Sequence, residues 1–136
     1  MAGRKLIIIL GPTAVGKTDY SIETALRYGS PVISCDSRQI YKEMTIGTAV
    51  PDASQLAAVK HYFIHSHTVT ELYTAGKYEL EALDLINRLF EEGHEPLVMA
   101  GGSDSTSMLL STVWTISRRP ICSFVPSLHR VLKLRV

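Results

Sequence analysis

Apolar and polar positions along the chain fall into alternating blocks. Residues 5 to 10, "KLIIIL", carry a continuous apolar run from Leu6 to Leu10, the pattern of a strand buried on both faces rather than one. Residues 17 to 28 place Tyr20, Ile22, Ala25 and Leu26 near helical spacing, and Gly29 with Pro31 supplies the stop. "PVISCDS", residues 31 to 37, reads as a second strand that ends in polar residues, and residues 38 to 51 read as loop broken at Gly47 and Pro51. A short helix then follows a cap at Asp52 or Ser54, and "YFIH", residues 62 to 65, reads as a brief strand. Residues 76 to 92 form the clearest helix, with Leu83, Ile86, Leu89 and Phe90 facing inward and Gly93 as its end. "EPLVMAGG", residues 95 to 102, is another buried strand. Strands alternating with helices predict an α/β fold, a mostly parallel sheet with flanking helices.

Composition adds bounds. The chain has 136 residues, 46% hydrophobic and 20% charged, enough for one globular domain with a real core. Cys35 and Cys122 are far apart, with neither disulfide-framework nor zinc spacing, which favours a cytoplasmic setting. The opening "MAGRKLIIIL" has basic residues before an apolar run too short for a signal peptide. No apolar stretch approaches the ~20 residues of a membrane span, so no membrane association is expected.

The loop after the first strand carries chemistry. "GPTAVGKT" (Gly11, Pro12, Thr13, Ala14, Val15, Gly16, Lys17, Thr18) matches G-x-x-x-x-G-K-[ST] at every fixed position, between an expected strand and an expected helix. Gly11 and Gly16 let the backbone curl so that successive N–H groups meet phosphate oxygens at the positive end of a helix dipole. Lys17 adds a charge for the outer phosphate, and the Thr18 hydroxyl is a magnesium ligand in such loops. The motif does not choose among phosphate compounds, nor does it specify phosphoryl transfer.

A second polar cluster, Asp36, Ser37, Arg38 and Gln39, follows the second strand, and in a parallel sheet it falls on the same edge as the loop. A carboxylate there suits a magnesium ligand, a general base or simply a solvated capping turn; arginine and glutamine suit a purine edge or a phosphate. His61, His65 and His67 lie close together without neighbouring carboxylates, and structural or surface roles are expected of them. Tyr62 and Phe63 read as core, and Tyr73, Tyr78, Glu79 and Glu81 as belonging to a helix with one wet face.

"GPTAVGKT", "ISCDSRQIYKEMTIGTA", "HYFI", "YTAGKYELEAL" and "LVMAGGS" together resemble, in order and spacing, the amino-terminal part of the tRNA dimethylallyltransferases, the IPP transferase family, over about residues 5 to 103. The resemblance implies a P-loop NTPase-like fold, truncated here, whose loop holds the diphosphate of dimethylallyl diphosphate and passes the prenyl group to N6 of the adenosine beside the tRNA anticodon. It implies Asp36 as the catalytic base, and Lys17 and Thr18 with Mg2+ at the leaving group. Ser37, Arg38, Gln39 and Ser103 would contact tRNA. A monomer is implied for the intact family. Other readings are an adenylate isopentenyltransferase, a small-molecule P-loop kinase and a non-catalytic phosphate-binding fragment.

Beyond Gly102 the chain changes character. Residues 1 to 102 hold 9 Lys/Arg against 12 Asp/Glu and all nine glycines, whereas residues 103 to 136 hold 5 against 1, with seven serines. A disordered basic extension, a divergent helix and a change of reading frame all fit that shift. The genetic code favours the last: codons begun at the third base allow the stretch ending at Ser117 to read "YIDAVVNGMDDI", which resembles what the family has after its Gly-Gly-[Thr/Ser] strand end. The expected organisation is therefore a P-loop core over 1–103 and an unrelated, out-of-frame tail over 104–136. The coding DNA tests this: the shifted frame should continue the family pattern downstream, and a frame that does not continue it rules the tail hypothesis out.

Overall fold

The computed structural model describes residues 4–11, 16–36, 39–43, 51–102, 121–123 and 130–135. The apolar run forms β1 (Lys5–Gly11), which leads into α1 (Lys17–Tyr28) and then β2 (Val32–Ser34). After α2 (Ala53–Ala58) and the two-residue β3 (His61–Tyr62), the long helix α3 (Ala75–Glu91) returns the chain to β4 (Leu97–Gly102). Two further strands, β5 (Ile121–Ser123) and β6 (Arg130–Arg135), complete one sheet in the order β3-β2-β4-β1-β6-β5. The first four strands of that order pair in parallel, and β6 and β5 are antiparallel additions.

Both faces of the sheet are covered at β1, β2 and β4, which is why β1 has no polar alternation. Leu6 and Ile8 meet Ile33, Leu97, Met99 and the inner face of α3 on one side. Ile7 and Ile9 meet Val32, Val98, Ile22 and Ala25 on the other, under α1. Gly29 closes α1 in the left-handed region at φ 63°, and the next amide, Ser30 N–H, donates to the Ala25 carbonyl at 2.9 Å.

Of the two expected starts for α2, Asp52 is the cap. Its carboxylate accepts from the Gln55 N–H at 2.8 Å, and the Gln55 side-chain oxygen accepts from the Asp52 N–H at 2.9 Å, a reciprocal capping box. The Gln55 amide also donates to Asp19 at 2.7 Å, tying α2 to the first turn of α1.

Two expectations from the pattern need correction. The brief strand is His61–Tyr62, not residues 62 to 65, because Phe63 and His65 take positive φ values of 62° and 52° and turn the chain away from β2. The inner face of α3 is Tyr78, Ala82, Leu85, Ile86, Leu89 and Phe90; Leu83, expected inside, is only half-buried. A fully buried leucine contributes about 1.5–3 kcal/mol, against about 0–1 kcal/mol for a surface ion pair, so the apolar stripe through Leu85 and Leu89 sets the rotation of this helix. Tyr62 and Phe63 are partly buried against the same cluster, as expected.

β6 lies along the free edge of β1, from Lys5↔Arg135 to Leu10↔Arg130. The expected boundary between Ser103 and Asp104 falls outside the described residues. Antiparallel pairing uses backbone groups that any reading frame supplies, and here it covers an edge that would otherwise be open.

The Tyr78 hydroxyl, fully buried, donates to the Ser34 carbonyl at 2.9 Å and so joins α3 to the end of β2. Burial pushes this phenol far above its ordinary pKa, which keeps it a neutral donor. Tyr78→Phe should leave a buried acceptor short of its partner and cost about 1–3 kcal/mol, read as a lower urea midpoint with an unchanged slope; an unaltered midpoint would show that the bond carries no weight.

Candidate phosphate-binding site

Parallel register brings the strand ends to one edge. β1 pairs with β4 from Leu6↔Leu97 to Gly11↔Gly102, and β2 pairs with β4 up to Ser34↔Ala100, so the start of the Gly-rich loop and the polar end of β2 flank the end of β4. Gly16 stands at the start of α1 with φ 81°, a left-handed conformation that costs a side chain about 1–2 kcal/mol. A Cβ there would meet nothing within 4 Å, so backbone conformation rather than space selects glycine. No side chain caps this end of α1. Its first amides and the positive end of the helix are thereby directed at whatever anion the loop holds.

Lys17 and Thr18, the first two residues of α1, are half-buried and line a recess whose other walls are Ser34, Asp36 and Gln39 from the end of β2, and Ala100 and Gly101 from β4. Ser21, Val32, Pro51, His61 and Ile64 extend the recess along the α1 side of the sheet towards β3. The turn bearing Asp36 is tied down on several sides. The Cys35 N–H and thiol both meet the Ala100 carbonyl, at 2.9 and 3.1 Å. The Ser34 hydroxyl donates to the Gln39 side-chain oxygen at 3.0 Å and accepts from the Asp36 N–H at 3.4 Å, and the Gln39 N–H donates to the Asp36 carbonyl at 3.2 Å.

Partial burial lowers the Lys17 pKa, and the nearby Asp36 charge opposes the shift. Complete burial pushes the Cys35 thiol well up, leaving it neutral beside them. The recess therefore presents an ammonium and a carboxylate with little competing charge: one group for an anion, one for a proton or a cation.

Of the expected site residues, Gly11, Gly16, Lys17, Thr18, Asp36 and Gln39 are described, and the last four share the recess. Gln39 is buried with its amide oxygen engaged by Ser34. Pro12, Thr13, Ala14, Val15, Ser37, Arg38 and Ser103 lie outside the described residues. Sequence reasoning did not single out Ser34, Pro51 or Ile64, and it treated His61 as structural. The available signal was alternation, since Val32 and Ser34 share a strand face; that His61 joins them follows only from the Val32↔His61 register.

A phosphate loop of this pattern, between the first strand and helix of a largely parallel sheet, defines a P-loop NTPase-like protein. The description IPP transferase attaches to the family model that matches residues 39–113. Solved structures agree: tRNA isopentenylpyrophosphate transferase from Bacillus halodurans has a TM-score of 0.73 at 34% identity, over 82% of this chain and 36% of that one. The corresponding enzyme from Staphylococcus epidermidis has a TM-score of 0.71, also at 34% identity, over 79% and 34%. Among sequences, tRNA dimethylallyltransferase 2 of Porphyromonas gingivalis is 49% identical over 98 residues, 72% of this chain and 32% of its own length. The tRNA dimethylallyltransferase of Flavobacterium johnsoniae is 51% identical over 98 residues, 72% and 31%. The chain belongs to the IPP transferase family. It spans about a third of the length of the curated relatives it matches.

Lys17→Met should weaken binding of inorganic diphosphate about ten- to hundredfold at neutral pH, the worth of a charge-assisted hydrogen bond. Because the Lys17 pKa is lowered, its charge is lost below the ordinary lysine value of about 10.4. Deprotonation removes the attraction, so the gap between the two chains, followed by calorimetry, should narrow as pH rises through that range; a constant gap would exclude Lys17 as the titrating contact.

Proposed function

We propose that this chain carries the diphosphate-holding and proton-accepting part of a tRNA dimethylallyltransferase. What supports the reading most directly is the placement of Lys17 and Asp36 in one recess, in a chain of the IPP transferase family. The donor is dimethylallyl diphosphate and the acceptor is N6 of the adenosine beside the tRNA anticodon.

In the reaction, the bond from N6 to the prenyl carbon forms as the bond from that carbon to diphosphate oxygen breaks. The electron pair leaves with diphosphate, and the N6 proton passes to Asp36. Adenine N6 is a weak nucleophile because its lone pair is delocalised, so a carboxylate that takes its proton and a stabilised leaving group are both required. Lys17 and the first amides of α1 hold the departing diphosphate. The Ser34, Cys35 and Gln39 contacts keep the Asp36 turn in place, which matters because misplaced catalytic groups lose most of their effect.

Magnesium fits the residues present. The Thr18 hydroxyl is a hard oxygen donor in the recess, and Mg2+ needs only one or two protein ligands beside phosphate oxygens and water. When bound, it would supply charge neutralisation at the diphosphate. Thr18 is the residue proposed to hold it.

Ser37, Arg38, Gln39 and Ser103 are proposed to meet the tRNA around the target base, which must leave its stack to enter the recess. No described helix is long and apolar enough to cross a membrane. We place the intact enzyme in the cytoplasm as a monomer, and keep residues 104–136 as an out-of-frame tail.

Labelled dimethylallyl diphosphate, unmodified tRNA and the chain with its family reading frame restored test the assignment. Label should pass to tRNA, and Asp36→Asn should slow transfer about 10²- to 10⁴-fold while diphosphate binding persists. Transfer to AMP but not tRNA would favour a free-nucleotide prenyltransferase, and phosphorylation of a small acceptor by ATP would favour a kinase.

A further inference from the structure

Among the described residues, the non-glycine positions with positive φ are Phe63 at 62° and His65 at 52°, both in the strap that leads from β3 to α3. That backbone region is costly for any residue with a Cβ, so contacts elsewhere must hold it. The Phe63 ring packs on the Tyr78 ring with centroids 5.0 Å apart, and the His65 N–H donates to the Gln39 carbonyl at 2.8 Å. The strap then runs beside residues 39–43. The His67 N–H donates to the Ile40 carbonyl at 3.1 Å, the His67 carbonyl accepts from the Lys42 N–H at 2.9 Å, and the Glu43 carboxylate accepts from the Val69 N–H at 3.1 Å. Tyr41 and His67 form a parallel bridge.

The side chain of His67 fastens this ladder to α3. Its ring lies on the Tyr73 ring, with centroids 3.9 Å apart and planes at 33°. The Tyr73 hydroxyl donates to Glu81 Oε2 at 2.6 Å, His67 Nε2 lies 3.8 Å from the same oxygen, and Ser66 Oγ lies 2.8 Å from His67 Nδ1. Burial, aided by the Glu81 carboxylate, pushes the Tyr73 phenol well above its ordinary pKa, which keeps it a donor. Glu81 follows Tyr78 by three residues on α3, so one stretch of helix supports the end of β2 through Tyr78 and the strap through Glu81. The strap holds Gln39, whose N–H donates to the Asp36 carbonyl at 3.2 Å and whose side chain is held by Ser34. None of His67, Tyr73 and Glu81 lines the recess.

We propose that His67 is a positioning residue for Asp36: its ring clamps the strap onto α3, the backbone of the strap fixes Gln39 and Ile40, and Gln39 fixes Asp36. The inference rests on the proposed function for the role of Asp36 as a base. None of the contacts along this path involves Lys17 or Thr18. His67 therefore governs the proton-accepting half of the site and leaves the diphosphate-holding half alone.

Carbon-detected NMR of the labelled 136-residue chain reads the far end of this path, at the Gln39 carbonyl and the Asp36 side-chain carboxyl. His67→Ala should shift both resonances and speed exchange of the His65 and Lys42 amide protons about two- to tenfold, the worth of one ring pair. His67→Phe, which keeps a ring on Tyr73, should return them most of the way. Tyr73→Phe, which keeps the ring pair and loses only the bond to Glu81, should move them in the same direction by less, and it decides the matter where His67→Ala does not fold. Inorganic diphosphate should bind all four chains equally. In the frame-restored chain, His67→Ala should lower kcat about two- to tenfold with KM for dimethylallyl diphosphate unchanged, and His67→Phe should recover it. Faster exchange with Asp36 unmoved, no recovery by the phenylalanine variant, diphosphate affinity that falls with His67, or a raised KM at constant kcat overturns the proposal. Absence of transfer by the unsubstituted frame-restored chain counts against the proposed function, and the Asp36 resonance still decides this inference.

Discussion

A single buried hydrogen bond, from the Tyr78 hydroxyl to the Ser34 carbonyl, connects the hydrophobic core to the chemistry at the edge of the sheet. Tyr78 lies in the cluster that seats α3 on the sheet, so the position of its hydroxyl is fixed by packing. Ser34 in turn holds Gln39 through its own hydroxyl and meets the Asp36 amide. The orientation of the proposed base therefore depends on how well a helix on the opposite face is packed. A change in the α3 stripe at Leu85 or Leu89 would be felt at Asp36 through these bonds, without any contact with a substrate.

The charged groups of the recess work against this rigid, largely apolar background. Lys17 is carried by the first residue of α1 and Asp36 by the turn after β2, and neither element alone would place the two together. Register does so, by setting Gly11 beside Gly102 and Ser34 beside Ala100. Cys35, anchored twice to the Ala100 carbonyl and kept as a neutral thiol by burial, packs in the core on the α3 side, close enough to feel both charges. A thiolate there would compete with a bound diphosphate for Lys17, and burial removes that competition.

Much of this was readable along the chain. The strand at residues 5 to 10, the helix from Lys17 to Tyr28 and the strand ending at Gly102 follow from local periodicity and from glycines at their ends. The Gly-rich pattern is equally local, because its glycines, lysine and threonine stand within eight consecutive positions. Asp36 was identifiable as a candidate because a polar cluster at the end of a parallel strand must fall on the loop's edge. Its role as a base was supplied by family resemblance, since a carboxylate in that place has several uses. Leu83 was misread as an inward residue because helical spacing alone admits more than one rotation, and contact with β4 and β2 chooses among them.

The sequence by itself determined the α/β class, the Gly-rich pattern between the first strand and helix, and the charged residues beside it, because each depends on neighbours within a few positions along the chain. Only the tertiary structure decided that Tyr78 is a buried support for the end of β2, that Gln39 is a recess wall held by Ser34, and that His61 lines the recess at all. Those outcomes depend on which strands pair and in what register. Pairing is settled by burying both faces of the sheet at once, a condition no local stretch of sequence contains.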